Sequence, residues 1–433
     1  MYCPYDNCHD KDIKSRQQYC LSCHQPLLFC KKCNYPNRSY AAFCTHCGSN
    51  IPPDKYDCLS FKGGLQRSNL NHYKINKNFE DCKINPQKTI QLDSLCKSIL
   101  VYNYYLFLFS LKGEIQIFSL LNEIKRMRKF YADDNIYTDP AIFDGTLYIG
   151  TRRSISAYAV PTLLSEDNAS TEPRWKMQLK DNDTPIKALV PIGDRLYFNV
   201  ATERQTQKIC AINNIKKTNP DSIVQIHAGP NVSIIAGNWS EKSKKIYFLS
   251  EVKNQIQLHT ADHIDNKFPR ILSKTIQNAP SGCDFRIPIA SIGRKVFVTF
   301  KNKETLYRID AESGELDQKI CENVKDFALA NANSAFVVNS KGLFFHGSSR
   351  KQIDLSKQRL SIKIAPYILN NFAVLAGLQN GTVHVYDYFN PTSFPKNWDI
   401  SDKDNLAITC LVAYQNILIA GNQEGTVKLA YWD

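Results

Sequence analysis

From about Lys88 onward, apolar residues recur in a unit that repeats roughly every 39 to 50 residues. Each unit contains an apolar segment, a turn and a second segment in which apolar and polar residues alternate. Three clear examples are residues 143–160, 371–387 and 416–431, and dipeptides such as Asn380-Gly381 mark the turns. Alternation on both sides of a short turn is typical of antiparallel strands. The pattern therefore predicts a β-hairpin in every unit.

Five further hairpins bring the number of repeat units to eight. Their leading strands begin near Leu106, Leu196, Ile246, Val296 and Ala335. Regularly spaced short strands predict a β-propeller, because each sheet in such a ring buries its faces against its neighbours and is not stable alone. We expect a mainly β fold with eight, or alternatively seven, four-stranded blades in residues 88–433, in which the hairpins form strands two and three.

The last repeat unit stops at Asp433, directly after its third strand. An apolar segment at residues 89–92 precedes the first unit and belongs to no unit of its own. We expect this segment to supply the missing strand and close the ring, which would remove an exposed sheet edge that invites aggregation. The longest apolar run, residues 99–111, is too short to span a bilayer and predicts two strands around a turn.

The chain before the propeller differs sharply in composition. Eight of the 15 cysteines lie between residues 3 and 47, whereas the others are scattered singly. The clustered cysteines are spaced Cys3-x4-Cys8, Cys20-x2-Cys23, Cys30-x2-Cys33 and Cys44-x2-Cys47. Cysteine pairs on tight turns can present four sulfur atoms in the tetrahedral arrangement that zinc favours. Residues 1–50 are thus predicted to bind zinc structurally, and the polar residues 51–87 to form a linker.

Residues 1–50 resemble the double zinc ribbon family, and residues 43–48 are similar to its closing knuckle. The resemblance implies two structural zinc ions. It assigns Cys3, Cys8, Cys20 and Cys23 to one ion, and Cys30, Cys33, Cys44 and Cys47 to the other. Two features depart from the family: the first pair has four intervening residues, and His24 stands where a glycine is common. His9 or His24 is therefore an alternative ligand in the first site.

The repeats resemble quinoprotein-type (PQQ-like) propellers and, almost as well, WD repeats. Residues 306–316 are similar to the turn between the third and fourth strands of the quinoprotein repeat, and Trp175 and Trp398 fall where that family has an outer-strand tryptophan. Dehydrogenases of that family are usually exported and hold their quinone with adjacent cysteines, a calcium-binding acidic cluster and a catalytic aspartate. Because no export signal and no adjacent cysteines are present, we expect no enzymatic activity.

The isolated histidines follow no metal-binding spacing, so we expect surface or packed residues there. They include His227, His259, His263, His346 and His384. Clustered cysteines without a visible signal peptide indicate a reducing cytoplasm. We therefore predict an intracellular, non-catalytic binding or scaffold protein in which zinc ribbons and propeller contact protein partners.

The alternative is a nucleic-acid-binding protein, since the formal net charge is +13 and basic surfaces attract phosphate. In this alternative the zinc ribbons and the basic linker bind the nucleic acid, and aromatic residues among the cations stack on bases. The linker residues concerned are Arg67, His72, Tyr73, Lys74, Lys77 and Phe79. A second basic cluster, residues 125–129, is predicted to be a solvated loop or the edge of a strand.

Overall fold

The computed structural model describes most of the predicted propeller and separate parts of the chain before it. The described residues are 3–4, 13–14, 27–30, 32–38, 44, 46–47, 49, 70–71, 79, 81–120, 123–165, 170–180, 183–202, 207–229, 231–232, 236–240, 243–252, 255–262, 270–280, 289–292, 294–300, 304–331, 333–339, 342–346, 351–354, 367–369, 373–387, 396–400 and 406–432.

Four strands of the described residues precede the first blade. They are β1 (Leu27–Phe29), β2 (Pro36–Arg38), β3 (Leu70–Asn71) and β4 (Ile84–Gln91). Strands β1 and β2 form an antiparallel hairpin.

The first half of the propeller contains four blades. Blade 1 consists of β5 (Cys96–Tyr102), β6 (Tyr105–Ser110), β7 (Glu114–Ser119) and β8 (Lys125–Tyr131). After β9 (Thr138–Asp139), blade 2 consists of β10 (Ala141–Phe143), β11 (Thr146–Gly150), β12 (Ser154–Ala159) and β13 (Trp175–Gln178), with helix α1 (Val160–Leu164) before its last strand. Blade 3 consists of β14 (Asp183–Ile192), β15 (Arg195–Thr202), β16 (Gln207–Asn213) and β17 (Val224–Gly229). Blade 4 consists of β18 (Asn231–Val232), β19 (Ala236–Ser240), β20 (Ser243–Val252), β21 (Gln255–Asp262) and β22 (Arg270–Thr275).

The second half contains four more blades. Blade 5 consists of β23 (Ala290–Ile292), β24 (Lys295–Phe300), β25 (Thr305–Asp310) and β26 (Leu316–Cys321). Blade 6 consists of β27 (Val324–Asn331), β28 (Ser334–Asn339), β29 (Gly342–His346) and β30 (Lys351–Asp354). Blade 7 consists of β31 (Tyr367–Leu369), β32 (Ala373–Gly377), β33 (Thr382–Asp387) and β34 (Lys396–Asp399). Blade 8 consists of β35 (Ile408–Tyr414), β36 (Ile417–Asn422), β37 (Thr426–Trp432) and β4.

These sheets form an eight-bladed β-propeller, as predicted, and every predicted hairpin supplies two paired strands of its blade. Within a blade, neighbouring strands are antiparallel. Two short strands add in parallel to the first strand of a blade: β9 pairs with β14, and β3 pairs with β31. In blade 4, both β18 and β19 pair with β20. The described part of the chain contains no helix with the length and apolar character needed to cross a membrane.

The core consists of apolar layers between neighbouring blades. Strand β6 shows why, since all of its side chains are buried although they point alternately to opposite faces. Leu106 and Leu108 pack towards blade 8, whereas Phe107 and Phe109 pack towards blade 2. The same arrangement recurs around the ring, so that each pair of successive blades encloses one apolar cluster. Strands buried on both faces are therefore apolar throughout rather than at every second position.

Strand β4 closes the ring, which confirms the prediction for residues 89–92. It pairs with β37 in antiparallel register, with Ile90 opposite Val427 and Thr89 opposite Lys428. Ile90 is buried in the cluster shared by blades 8 and 1. The strand begins at Ile84, inside the segment assigned to the linker. Sequence periodicity did not show this start, because most side chains from residue 84 to residue 89 are exposed on an outer strand.

The chain just before β4 also packs on the propeller. The Phe79 ring lies 5.8 Å from the Trp432 ring, and the Lys396 ammonium lies 5.2 Å from the centre of the Phe79 ring. Lys396 also donates a hydrogen bond to the carbonyl oxygen of Cys82, whose side chain is fully buried. This part of the predicted linker is therefore anchored to blades 7 and 8. Residues 51–69 and 72–78 lie outside the described residues.

We expect the Ile90→Ala substitution to lower the free energy of unfolding by about 2–5 kcal/mol, because it removes a buried side chain from the closing strand. The matched control is Thr89→Ala, whose exposed side chain lies on the same strand; its effect should stay below about 1 kcal/mol. Urea unfolding followed by tryptophan fluorescence measures both. Equal effects of the two substitutions would contradict the role given to Ile90.

Candidate metal centre

A tight turn joins β1 to β2 and carries the first cysteine pair of the site. Cys30 directly follows β1, and its backbone N–H donates to the carbonyl oxygen of Tyr35 at 3.0 Å. The N–H of Asn34 donates back to the carbonyl oxygen of Cys30 at 2.8 Å. Asn34 has a φ of 57°, a left-handed conformation that asparagine tolerates better than most residues. The turn therefore holds Cys30 and Cys33 on one side.

A second turn brings Cys44 and Cys47 to the same place. The N–H of Cys44 donates to the carbonyl oxygen of Ser49 at 2.8 Å, which closes this turn as Tyr35 closes the first. The sulfur atoms of Cys30 and Cys47 are 3.6 Å apart, and those of Cys33 and Cys44 are 3.5 Å apart. All four sulfur atoms lie within 4.8 Å of one another.

This four-cysteine cluster, Cys30, Cys33, Cys44 and Cys47, fits a tetrahedral zinc ion. Zinc–sulfur bonds of about 2.3 Å in a tetrahedron place neighbouring sulfur atoms about 3.8 Å apart, close to the separations of 3.5 and 3.6 Å. Cysteine thiolates are also the ligands that zinc prefers. The cluster can therefore hold one metal ion, and its four protein ligands would fill every position of a tetrahedron.

Polar groups around the cluster donate hydrogen bonds to the sulfur atoms. The backbone N–H of Lys32 donates to Cys30 Sγ at 3.4 Å, and the amide of Asn37 donates to Cys44 Sγ at 3.6 Å. The Ser49 hydroxyl lies 3.1 Å from Cys30 Sγ and 2.9 Å from Cys47 Sγ. Such groups around a metal site orient its ligands and tune their charge.

The acidity of the thiols is uneven across the cluster. The Ser49 hydroxyl, which can donate its one proton to either sulfur atom, lowers the pKa of Cys30 to about 6 and lowers the pKa of Cys47. Burial instead raises the pKa of Cys33 to about 12. The protein alone thus stabilises some thiolates but not a full set of four. A bound cation would supply the positive charge that Cys33 needs in order to ionise.

An aromatic contact holds the two turns together. The rings of Tyr35 and His46 stack with centroids 4.9 Å apart and planes at 16°. His46 is exposed and lies outside the group of side chains that can hold the metal. Sequence spacing identified the four cysteines, but it did not identify Asn37, Ser49 or the Tyr35–His46 stack. In the sequence, these residues stand out only by lying close to the cysteine pairs, and many other polar residues lie equally close.

The other predicted zinc site stays a prediction. Cys3 is buried beside Ile13 and Leu27. The other proposed ligands of that site, Cys8, Cys20 and Cys23, lie outside the described residues, and so do the alternative ligands His9 and His24.

We expect Ser49→Ala to weaken zinc binding at the four-cysteine cluster about 10- to 100-fold, since losing a partner of the ligands typically has an effect of this size. Competition with a chromophoric chelator on the full chain measures the affinity. Ser49→Thr is the matched control, because it keeps the hydroxyl and should retain most of the affinity. An unchanged affinity in the alanine variant would contradict the role assigned to the hydroxyl.

Two of the isolated histidines meet between blades 3 and 4. The ring centroids of His227 and His259 are 4.7 Å apart. His259 is buried, stacks on Phe248, and makes hydrogen bonds of 2.6 Å to Ser250 and 2.8 Å to Ser273. Burial, with a smaller effect from His227, lowers the pKa of His259 to about 4. The two histidines are therefore packing residues between blades 3 and 4. Ser250, which contacts His259, has no exposed surface.

The neutral His259 should make folding depend on pH. Its folded-state pKa of about 4 lies below the unfolded value of about 6.5. Its stabilising contribution is therefore present above about pH 6.5 and is lost as the pH falls towards 4. We expect His259→Gln, which keeps hydrogen-bonding groups but does not titrate, to lose less stability than the unmodified chain between pH 7 and pH 5. Urea unfolding at both pH values measures this difference, and equal losses would contradict it.

The basic cluster at residues 125–129 belongs to β8, the outer strand of blade 1. Lys125, Arg126 and Lys129 are exposed, and Lys129 forms a salt bridge with the buried Glu114. The cluster thus lies on a strand at the edge of its sheet, which is one of the two predicted possibilities. Phe79 is buried against Trp432, so it is not available to stack on a base as the nucleic-acid alternative required.

The two tryptophans of the repeat pattern lie on outer strands and are buried. Trp175 of blade 2 donates a hydrogen bond from Nε1 to the carbonyl oxygen of Ile215 at 3.0 Å. Trp398 lies in the cluster between blades 7 and 8. Asp310 accepts hydrogen bonds from the backbone N–H groups of Glu312 and Ser313. These residues stabilise the blades and their turns.

Comparison with known proteins identifies the fold. No protein-family model matches the chain, and no curated protein sequence matches it. Among solved structures, the chain is similar to the computationally designed Ika8 protein, with a TM-score of 0.59 and 13% identity over 81% of this chain and 100% of that one. It is also similar to BamB from Moraxella catarrhalis, with a TM-score of 0.54 and 16% identity over 81% of this chain and 100% of that one.

A europium-containing methanol dehydrogenase is similar as well, with a TM-score of 0.54 and 10% identity over 85% of this chain and 91% of that one. The expected likeness to PQQ-type propellers is therefore confirmed for the fold, and identities this low show the fold alone. The zinc ribbon resemblance of residues 1–50 is matched by no family model and stays a prediction.

Proposed function

We propose that this chain is a non-catalytic intracellular binding protein in which a zinc-stabilised N-terminal segment and the propeller both contact protein partners. The observation that carries this proposal is the four-cysteine cluster. Its four thiols converge from two turns and would occupy all positions around a tetrahedral ion. A metal held in this way has no open position for water or substrate, so its role is to hold the two turns together.

The cluster supports recognition because of what it leaves on the surface. Lys32 and His46 lie at the two turns and are exposed, while Cys30 and Cys44 are buried. The metal would therefore fix a small surface with defined polar side chains. A segment of this size has too little apolar core to fold without metal. By the same argument, and by its resemblance to double zinc ribbons, we propose a second structural zinc ion bound by Cys3, Cys8, Cys20 and Cys23.

The propeller offers a second surface for partners. Its blades form a rigid ring, and β8 presents exposed cations at the edge of blade 1 beside Tyr131, which is 54% exposed. The Lys129 ammonium lies 5.5 Å from the centre of the Tyr131 ring. Aromatic residues are enriched at protein interfaces, and exposed cations complement an acidic protein surface. Two modules on one chain bind a common partner more tightly than either does alone.

The clustered thiols support a cytoplasmic location, because zinc-binding cysteines persist where thiols are kept reduced. The alternative function is nucleic-acid binding. The exposed cations of β8 favour it, together with the net charge of +13. Phosphate contacts would make the affinity depend steeply on salt concentration, whereas a protein interface would show a shallow dependence.

The test is affinity purification with the intact chain and with a Cys30→Ser/Cys33→Ser variant. We expect protein partners that bind the intact chain and are lost from the double variant, whose zinc content should fall from two ions per chain to one. The matched control is Cys321→Ser, which replaces a half-buried cysteine of blade 5. This variant should keep the protein partners and both zinc ions. Affinities of the recovered partners are then measured across salt concentrations.

Three results would contradict the proposal. Partners that bind the double variant unchanged would exclude the zinc segment from recognition. Recovery of nucleic acid with a steep salt dependence would favour the alternative function. A zinc content of one ion in the intact chain would remove the proposed site of Cys3, Cys8, Cys20 and Cys23 while leaving the four-cysteine cluster in place.

A further inference from the structure

Two cysteines meet at the place where the ring closes. Cys96 begins β5, the first strand of blade 1, and Cys410 lies in β35, the first strand of blade 8. The Cys410 thiol donates to the carbonyl oxygen of Cys96 at 3.2 Å, and the Thr409 hydroxyl donates to the same oxygen at 2.7 Å. The two residues are 314 positions apart in the sequence. Closure of the propeller is therefore what brings them together.

The side chains of both cysteines point into the same space. Gly421 pairs directly with Cys410 in blade 8, so a side chain at either position would point to the same face of the sheet. A Cβ atom at Gly421 would lie only 2.6 Å from Cys96 Sγ. Cys96 Sγ thus occupies the position of the missing Gly421 side chain, next to the side chain of Cys410. The register of β35 shifts between Ile408 and Cys410, and such shifts re-aim side chains.

The environment of the pair differs between its members. Cys96 is fully buried, whereas Cys410 is half-buried. The contact with the Cys410 thiol, together with burial, raises the pKa of Cys96 well above its usual value. Because Cys410 is the more exposed of the two, an oxidant would reach it first, and Cys96 would be the neighbouring thiol that reacts next.

We propose that Cys96 and Cys410 form a reversible disulfide that closes the propeller covalently when the protein meets a peroxide. The Cys410 thiolate attacks one oxygen of hydrogen peroxide, the O–O bond breaks, and a sulfenic acid and water result after proton transfer. The sulfur of Cys96 then attacks the sulfenic sulfur, which forms the S–S bond and releases a second water. Two thiols are oxidised and one peroxide is reduced to two waters. A thiol reductant restores the pair by exchange.

This disulfide would act on the junction between blades 8 and 1. The first strands of these two blades come from opposite ends of the propeller sequence. In the reduced protein, the β4–β37 pairing and the apolar cluster between blades 8 and 1 hold this junction. The disulfide would add a covalent bond between the first strands of the same two blades. Opening of the ring between them would then require reduction as well as separation of the strands. This inference is independent of the proposed binding function.

The experiment uses the full, zinc-loaded chain treated with hydrogen peroxide. Free thiols are blocked, the protein is digested without reductant, and the peptides are identified by mass spectrometry. We expect a cross-linked peptide that joins Cys96 to Cys410, with a mass about 2 Da below the sum of its two parts, and its loss after treatment with dithiothreitol. The oxidised chain should also unfold at a higher urea concentration than the reduced chain.

Two variants show whether the stabilisation comes from this pair. Cys410→Ser should abolish both the cross-linked peptide and the oxidation-dependent shift of the urea midpoint, whereas the matched control Cys321→Ser should keep both. The proposal is overturned if peroxide produces only sulfinic or sulfonic acid at Cys410, or cross-links only the cysteines of the zinc-binding segment. It is equally overturned if the Cys96–Cys410 peptide appears in a chain that peroxide has already unfolded, as judged by its tryptophan fluorescence before digestion.

Discussion

Burial of apolar side chains between neighbouring blades is the interaction on which the rest of this structure depends. A strand such as β6 is apolar on both faces, and each face needs a neighbouring sheet to cover it. Each large apolar side chain buried in this way contributes about 1.5–3 kcal/mol, which offsets the cost of ordering the chain. A single blade cannot obtain this energy, because it would expose both of its apolar faces to water. The blades are therefore stable as a closed ring.

The N-terminal segment is stabilised in a different way. Its described apolar cluster is small, consisting of Cys3, Ile13 and Leu27 with Phe29 packed against them. Structural zinc supplies about 10–16 kcal/mol in domains of this kind, which is more than such a cluster provides. The hydrogen bonds of Asn37 and Ser49 to the cysteine sulfurs prepare the site for a cation. One chain thus combines a part that packing stabilises with a segment whose four-cysteine cluster can hold a metal ion.

The sequence predicted those features that repeat or that follow a local rule. The eight hairpins were visible because apolar runs and turn residues recur, and the four-cysteine cluster was visible because its spacing is characteristic of zinc ligands. The start of β4 at Ile84 was not visible, because an exposed outer strand shows little apolar alternation. The burial of Phe79 against Trp432 and the contact between His227 and His259 depend on distant residues. Periodicity carries no information about such contacts.

The closing junction shows how the ring accommodates its two chain ends. Seven junctions join blades that follow each other directly in the chain, but blades 8 and 1 come from opposite ends of the propeller. Because β4 runs directly into β5, the outer strand of blade 8 is covalently attached to blade 1.

The break in the chain therefore lies inside blade 8, between β37 and β4, where a ladder of backbone hydrogen bonds bridges it. Side chains of blade 1 reinforce this arrangement, since Glu114 accepts a hydrogen bond from the N–H of Asp93 and Gln116 donates one to the carbonyl oxygen of Gln91. These bonds act at the end of β4. At the opposite edge of the sheets, Thr409 and Cys410 donate hydrogen bonds to the carbonyl oxygen of Cys96 and so connect the first strands of the same two blades. The closing junction is therefore held at both edges.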